Sequence, residues 1–333
     1  MNNPADLQPL VQQLAQRLKE QRVRVVVIGD MILDNAIDGI PGGRHPEIAV
    51  PILRDATTQE SIGGAANIAL ILARLGVEVS LFGVIGSDLP GRQLENLLDR
   101  QPFACHLVNE RGWPTPHKDW IYKRFEGKST LFQRIDYDRP LSGSARSELV
   151  GEFRARCLTQ VDVVILADHG LGCIGPESVE LIRLARERQA KLVAIPRTTA
   201  LRGQPLDAIV INASEMRRFY EDDANADPQA LAARYSREYV QHVFLTLMEV
   251  GILVCPARTA ASGTLIPGYP LENAHWMGAR DMATASVALG LVLGFDPIAI
   301  GRVANAFRHL IAGQRGNGRV LWRDIFQFVG LPE

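Results

Sequence analysis

Hydrophobic and polar residues follow two rhythms along the 333-residue chain. Val23 to Ile28 is a nearly continuous β-branched run that ends in Gly29-Asp30. Such a run predicts a strand covered on both faces, as in a parallel sheet. Val77 to Val84, Val163 to Ala167, Lys191 to Ile195, Ala208 to Ile211, Val243 to Leu247 and Gly251 to Pro256 predict further strands. Between them the apolar spacing turns helical, predicting helices from Gly63-Gly64 to Leu75, over Glu177 to Gln189 and over Pro228 to Glu238. Two more are predicted over Asp281 to Leu293 and Pro297 to Gly313. Alternation of strands and helices implies a mostly parallel central sheet covered by helices on both faces.

Two segments break this rhythm. Residues 36–58 carry prolines at 41, 46 and 51, which argue for edge strands or an excursion. Residues 113–138 alternate and are rich in aromatic and charged side chains. Together they predict a small β lid and not a second domain. Before the first strand, Leu7, Leu10, Val11, Leu14 and Leu18 recur at helical spacing, so residues 1–22 predict an amphipathic helix with one buried stripe. The expected organisation is that helix, one α/β domain over 23–318 and a tail over 319–333.

Charge and composition narrow the function. Lys and Arg number 36 against 37 Asp and Glu, a formal net charge of −1. Without a surplus of cations a nucleic-acid partner is not expected. The most apolar stretch, Ala283 to Phe295, is too short to span a bilayer, and no export signal is visible, so no membrane partner and a cytoplasmic setting are expected. Cys105, Cys157, Cys173 and Cys255 lie far apart with no C-x-x-C pair, which suits a reducing compartment.

Gly127-Lys128-Ser129 imitates the end of a phosphate-binding loop, but the glycine required five residues earlier is Tyr122, and no strand-to-helix turn surrounds it. No G-x-G-x-x-G follows a strand, which removes a dinucleotide-dependent dehydrogenase. The informative pieces are Gly63-Gly64-x-x-Asn67 and Gly278-Ala279-Arg280-Asp281, each just before an apolar helix. Small residues there let free backbone N–H groups approach an anion. Taken singly, each piece also has a plain reading: Asp281 as a helix cap, Gly63-Gly64 as a turn, Asn212 as a strand-end turn, Glu215 as a first-turn acid, and Asp34 as a loop residue bonding its own backbone.

In combination, Asp30-x-x-x-Asp34, Gly63-Gly64-x-x-Asn67, Asn212-x-x-Glu215, Thr246-x-x-Glu249-x-Gly251 and Gly278-Ala279-x-Asp281 stand in the order and spacing of the ribokinase-like (PfkB-type) carbohydrate kinases. The resemblance spans Val23 to Gly318. Within that family the chain looks most similar to the heptose 7-phosphate kinases of ADP-heptose synthesis, on Gly29-Asp30-Met31-Ile32-Leu33-Asp34 and His45-Pro46-Glu47-Ile48-Ala49-Val50-Pro51. The resemblance implies the ribokinase-like fold and phosphoryl transfer from ATP, with Mg²⁺, to a hydroxyl of a sugar phosphate.

Asp281 would take the hydroxyl proton, and the N–H groups of Gly278, Ala279, Arg280 and Asp281 would form an anion hole. Asp30, Asp34, Gly63, Gly64, Asn67 and Asp168 would bind sugar. Asn212, Glu215, Thr246, Glu249, Gly251 and Asn305 would serve the nucleotide, with Glu215 holding Mg²⁺ through water. The lid would make a homodimer contact.

The departures from the family cluster at this chemistry. Arg280 and Met248 stand where glycines are usual, and His275 and Met277 where Asp and Thr are usual. Ile195-Pro196-Arg197 replaces Asp-Pro-Lys. Asp168-His169-Gly170-Leu171-Gly172 replaces Asp-Tyr-x-Lys-Gly, losing its lysine, and Trp120 takes the place of a basic residue. Such changes at phosphate-facing positions leave two expectations open: an active kinase, with Arg280 as a substitute phosphate-binding cation, or a catalytically impaired descendant that senses a sugar phosphate or binds a partner.

Overall fold

The computed structural model describes residues 3–141, 143–157, 160–223, 225–257, 262–271, 274–314 and 319–332. In chain order its elements are α1 (Gln8–Glu20), β1 (Arg24–Gly29), β2 (Met31–Arg44), β3 (Pro51–Gly64), α2 (Ala65–Arg74), β4 (Glu78–Gly86), α3 (Leu89–Leu98), β5 (Ala104–Glu110), β6 (His117–Phe125) and β7 (Lys128–Tyr137). Then follow α4 (Gly143–Arg156), β8 (Val163–Ala167), α5 (Ser178–Glu187), β9 (Lys191–Ile195), β10 (Ala208–Asn212), α6 (Ala213–Phe219) and α7 (Pro228–Glu238). The last are β11 (His242–Thr246), β12 (Gly251–Pro256), β13 (Thr264–Pro267), α8 (Ala279–Val292), α9 (Pro297–Ala312) and α10 (Trp322–Val329).

Nine strands form the main sheet in the order β13-β12-β11-β10-β9-β8-β1-β4-β5. Neighbours from β11 across to β5 pair in parallel. Strands β12 and β13 close one edge antiparallel. The β-branched runs behave as their composition requires. Val25 and Val27 enter the core shared with α1, α2, α8 and α9, whereas Val26 and Ile28 enter the core under α4, α5, α6 and α7. Strand β8 divides in the same way, Val163 and Ile165 to one side and Val164 and Leu166 to the other. Each such burial is worth about 1.5–3 kcal/mol, so the central strands carry much of the fold's stability. This is the mostly parallel α/β sheet, covered by helices on both faces, that the alternation implied.

The two irregular segments form a separate four-stranded sheet, ordered β3-β2-β6-β7. It starts earlier and ends later than the prolines suggest, because Met31, Ile32, Leu33 and Ile62 at its base are buried in the core. Register breaks between Asp38 and Ile40 and between Pro41 and Arg44 mark where the proline-bearing outer part leaves regular pairing. Helices α3, α4 and α6 and strands β5 and β13 are elements that the periodicity does not resolve. Residues 319–332, expected as part of a tail, contain α10, which packs its buried Ile325 and Val329 into the core. Gln8 Nε2 on α1 donates to the carbonyls of Val329 (2.8 Å) and Gly330 (3.0 Å), joining the first helix to the last. Among the described residues no helix is long and apolar enough to cross a membrane.

Candidate active site

The predicted site residues converge at the carboxyl ends of the parallel strands, where ligands of open α/β sheets bind. Asp30, between β1 and β2, is the joint between the two sheets. Its Oδ2 accepts from the amides of His169 (2.8 Å) and Leu171 (3.0 Å), and its Oδ1 from that of Cys173 (2.8 Å). Burial pushes its pKa up to about 6; these amides act against the shift and the nearby Asp168 carboxylate adds to it. Asp168, also fully buried, accepts from the amides of Gly170 (2.8 Å), Arg197 (3.1 Å) and Thr198 (2.7 Å) and from the Thr198 hydroxyl (2.7 Å). The resemblance implied sugar binding for both acids. Here their oxygens are instead taken up by buried loop amides, which need acceptors once removed from water. They shape the floor of the site.

Asp34 is the acid that faces the other functional groups. It lies on β2, and its Oδ1 accepts from Trp120 Nε1 on β6 at 2.9 Å. A Cβ on Gly63 would fall 2.1 Å from Asp34 Oδ2, so only glycine lets this carboxylate lie against β3. Gly64 has a left-handed backbone (φ +62°), and a Cβ there would meet the Asp30 carbonyl at 2.2 Å. Helix α2 starts at once, carrying Asn67 in its first turn. Asn67 Nδ2 donates to Asp281 Oδ2 at 2.7 Å.

Asp281 lies in the first turn of α8. The capping position is taken by Gly278 in the left-handed region, with no side-chain cap bond, so Asp281 is not the helix cap. Burial pushes its carboxyl pKa up to about 6; Asn67 and Arg280 favour the ionised form, and the charge of Asp34 opposes it. Asn67 and Asp281 thus meet, and Asp34 lies within electrostatic reach of Asp281.

Across the cleft, Asn212 ends β10 and caps α6. Its Oδ1 accepts from the Glu215 amide (2.9 Å) and the Ser214 hydroxyl (2.8 Å), while Glu215 Oε2 accepts from the Asn212 amide (3.1 Å), a reciprocal capping box. The guanidinium of Arg280 donates to the same Glu215 oxygen. Arg280 therefore turns toward α6, and its charge is met by a carboxylate that is itself buried. Glu215, expected to hold Mg²⁺ through water, is committed to the cap and the ion pair, and Asn212 beside it to the cap. Among the described residues no group of three or more His, Cys, Asp or Glu would hold a metal. The residues present do not fit a divalent cation held at Glu215.

Beside this pair opens a cavity of 630 Å³ lined by residues 212–214, the loop 246–250, Trp276, Ala279, Arg280 and Arg308. Thr246, whose hydroxyl donates to the Ile211 carbonyl at 3.3 Å, and Glu249 border it as expected. Met248 keeps a left-handed backbone (φ +47°) at the position where glycine is usual. Two expected nucleotide residues do not line the cavity. Gly251 begins β12 against the Ile266 carbonyl, and the buried Asn305 donates to the Pro267 carbonyl at 2.7 Å. Both serve the β12–β13 edge.

The sequence reading missed Arg308 and Trp276. Arg308 is only 3% exposed, donates to the Met248 carbonyl and stacks 4.7 Å over the Trp276 ring. Burial pulls its pKa down to about 10, against the pull of Glu249. Its visible signal is a cation within the apolar stripe of α9. His169 was also missed as a chemical group. Its Nε2 is shielded without a hydrogen-bond partner among the described residues. Burial, with the charges of Arg280, Arg197 and Lys118, pulls its pKa down to about 3. Positive charge thus gathers between the two sides of the cleft.

Residues 22–122 match the model of the pfkB family carbohydrate kinases. The bifunctional protein HldE of Mesorhizobium japonicum is 30% identical across 97% of this chain, which spans 65% of that protein's length. The D-beta-D-heptose 7-phosphate kinase of Bordetella bronchiseptica is 33% identical over 153 residues, 46% of this chain and 47% of that one. Phosphofructokinase-2 of Escherichia coli, solved with potassium, superposes with a TM-score of 0.74 at 14% identity, covering 93% of this chain and 99% of its own. The last likeness speaks for the fold alone.

Proposed function

We propose, from the premise that this chain is a relative of the PfkB/ribokinase-like carbohydrate kinases, that it transfers the γ-phosphoryl group of a nucleoside triphosphate such as ATP to a hydroxyl of a sugar phosphate, with a heptose phosphate the first acceptor to try. The observation that carries this reading is the Asn67–Asp281 contact. It places a carboxylate of raised pKa at the start of α8, facing Asp34 across the acceptor side. In the transfer the acceptor oxygen bonds to the γ-phosphorus and the bond to the β-bridging oxygen breaks. Asp281 accepts the hydroxyl proton, and the nucleoside diphosphate leaves. Asn67 orients Asp281, and Asp34 would accept a hydrogen bond from the sugar. The amides of Gly278, Arg280 and Asp281 at the start of α8 would meet charge on the transferring group, whereas that of Ala279 already donates to the Trp276 carbonyl at 3.2 Å.

The reading extends to a homodimer formed through the lid, supported by Ile40, Ile48, Val50 and Phe125 exposed there. It also extends to a reducing, cytoplasmic setting, supported by four free cysteines.

The test is diphosphate release across a panel of sugar phosphates. Asp281→Asn should lower kcat by about 10²–10⁴-fold, and wild-type kcat/KM should fall as pH drops through about 6, where Asp281 becomes protonated. No release above background with any acceptor rejects the reading. A second reading, a catalytically impaired sugar-phosphate sensor, is favoured by the Arg280–Glu215 ion pair. If Arg280→Gly combined with Met248→Gly creates activity that the wild type lacks, that second reading holds.

A further inference from the structure

We infer that the cleft beside α8 binds phosphate groups directly on the guanidinium groups of Arg280 and Arg308, with no divalent cation organised by Glu215. The inference rests on reading this cavity as the nucleotide side of the site, but it concerns how the anion is held and not whether it is turned over.

Glu215 is the first argument. Its carboxylate is buried, capped onto α6 and paired with Arg280. A divalent cation placed there would meet a charge already cancelled and a guanidinium within contact distance, or would have to displace it. Breaking a buried ion pair costs several kcal/mol, which opposes displacement. Arg280 thus takes the place beside Glu215 that a metal would need, while it also lines the cavity.

Arg308 is the second argument, and it is independent of the first. This cation is buried in the wall of the same cavity, with a backbone carbonyl and an indole face as its contacts, and no carboxylate pairs with it among the described residues. A buried charge without a counter-ion is costly to keep. An entering phosphate would relieve that cost through paired N–H···O bonds, the geometry guanidinium is built for. Its depressed pKa agrees with a charge short of compensation. Among the described residues that line the cavity, Glu249, exposed at its rim, is the acid that would repel the ligand, and Glu215 behind Arg280 acts in the same direction. Trp276 adds a flat apolar face beside the two cations, so a ligand carrying both a base and phosphates fits better than phosphate alone.

Calorimetry on the full chain with ATP, ADP and tripolyphosphate, each in excess EDTA and in excess Mg²⁺, tests this. The wild type should bind ATP in EDTA within threefold of its affinity in Mg²⁺. Arg308→Met, which keeps volume in the wall, should weaken ATP at least tenfold in EDTA. Arg280→Gly, which frees Glu215, should make ATP binding prefer Mg²⁺ at least tenfold. Tripolyphosphate binding as tightly as ATP assigns the affinity to phosphate alone; weaker binding adds the base. A wild type that binds ATP at least tenfold better with Mg²⁺, or binds neither ATP nor tripolyphosphate, overturns the inference. So does an Arg308→Met variant of unchanged affinity. Binding in EDTA without diphosphate release under any condition upholds the inference and removes the kinase reading. Turnover that depends on Mg²⁺ binding does the reverse.

Discussion

On the acceptor side of the cleft two carboxylates, Asp34 and Asp281, lie close enough that the charge of Asp34 opposes ionisation of Asp281. An amide from Asn67 holds Asp281, and the Trp120 indole holds Asp34. On the nucleotide side the cations are held down, Arg280 by Glu215 and Arg308 by a carbonyl and the Trp276 ring. The difference follows from what each side must do. A group that takes up a proton needs unneutralised negative charge in a dry place. A surface that receives an anion gains most from cations fixed before the ligand arrives. The motif residues Asp34, Gly63, Gly64, Asn67 and Asp281 are kept, whereas the departures fall on both sides, at Met248 and Arg280 beside the cavity and at Trp120 and Leu171 against Asp34 and Asp30.

The two sides can be set against each other through the backbone, by comparing one left-handed residue from each. Gly64 has φ +62° and no room for a Cβ, whereas Met248 has φ +47° with its side chain half exposed. The largest effect is therefore expected at Gly64. Gly64→Ala should cost about 3 kcal/mol or more, from left-handed strain plus the clash with the Asp30 carbonyl, measured by urea denaturation. A cost below about 1 kcal/mol would mean that the acceptor side yields, and the contrast in rigidity would fail.

A middle-sized effect should come from charge. The folded pKa of Asp281 is raised to about 6 from an ordinary 3.8, so its ionisation opposes folding. The stability it lends is full below the unfolded value and lost as pH rises through about 6. Asp281→Asn should accordingly match the wild type below about pH 3.5 and exceed it at pH 8, by about 3 kcal/mol. Equal stabilities at both pH values would remove the unneutralised carboxylate from the comparison. The smallest effect belongs to Met248→Gly, which should gain about 0.5–1 kcal/mol by relieving the left-handed methionine. A loss instead would mean that the methionine side chain earns its place against the cavity wall.

Much of the frame is legible in the sequence, because the β-branched runs at Val23 to Ile28 and Val163 to Ala167 have one low-energy use, a strand buried on both faces. The glycines before α2 and α8 likewise announce helix starts where backbone must come close to something. What the sequence hides is the partner of each polar atom. Asp30 and Asp168 read as free acids at strand ends, yet the amides that claim them belong to loops whose need for acceptors appears only on folding. The direction of Arg280 is hidden for the same reason, since Glu215 reaches it from another strand end. Helix α4 escaped notice because its buried Leu149, Val150 and Phe153 are interleaved with charges that blur the period. Arg308 was hidden by its neighbours, a lone cation in a stripe that otherwise reads as core.

The two acids that turned from ligand to scaffold have a bearing on the thermodynamics of binding. Loops at strand ends usually gain much of their order from the ligand, and the ligand's affinity is reduced by the entropy of that ordering. Here the loops after β8 and β9 are already tied, through seven hydrogen bonds to Asp30 and Asp168, before any sugar arrives. An acceptor therefore meets a finished floor.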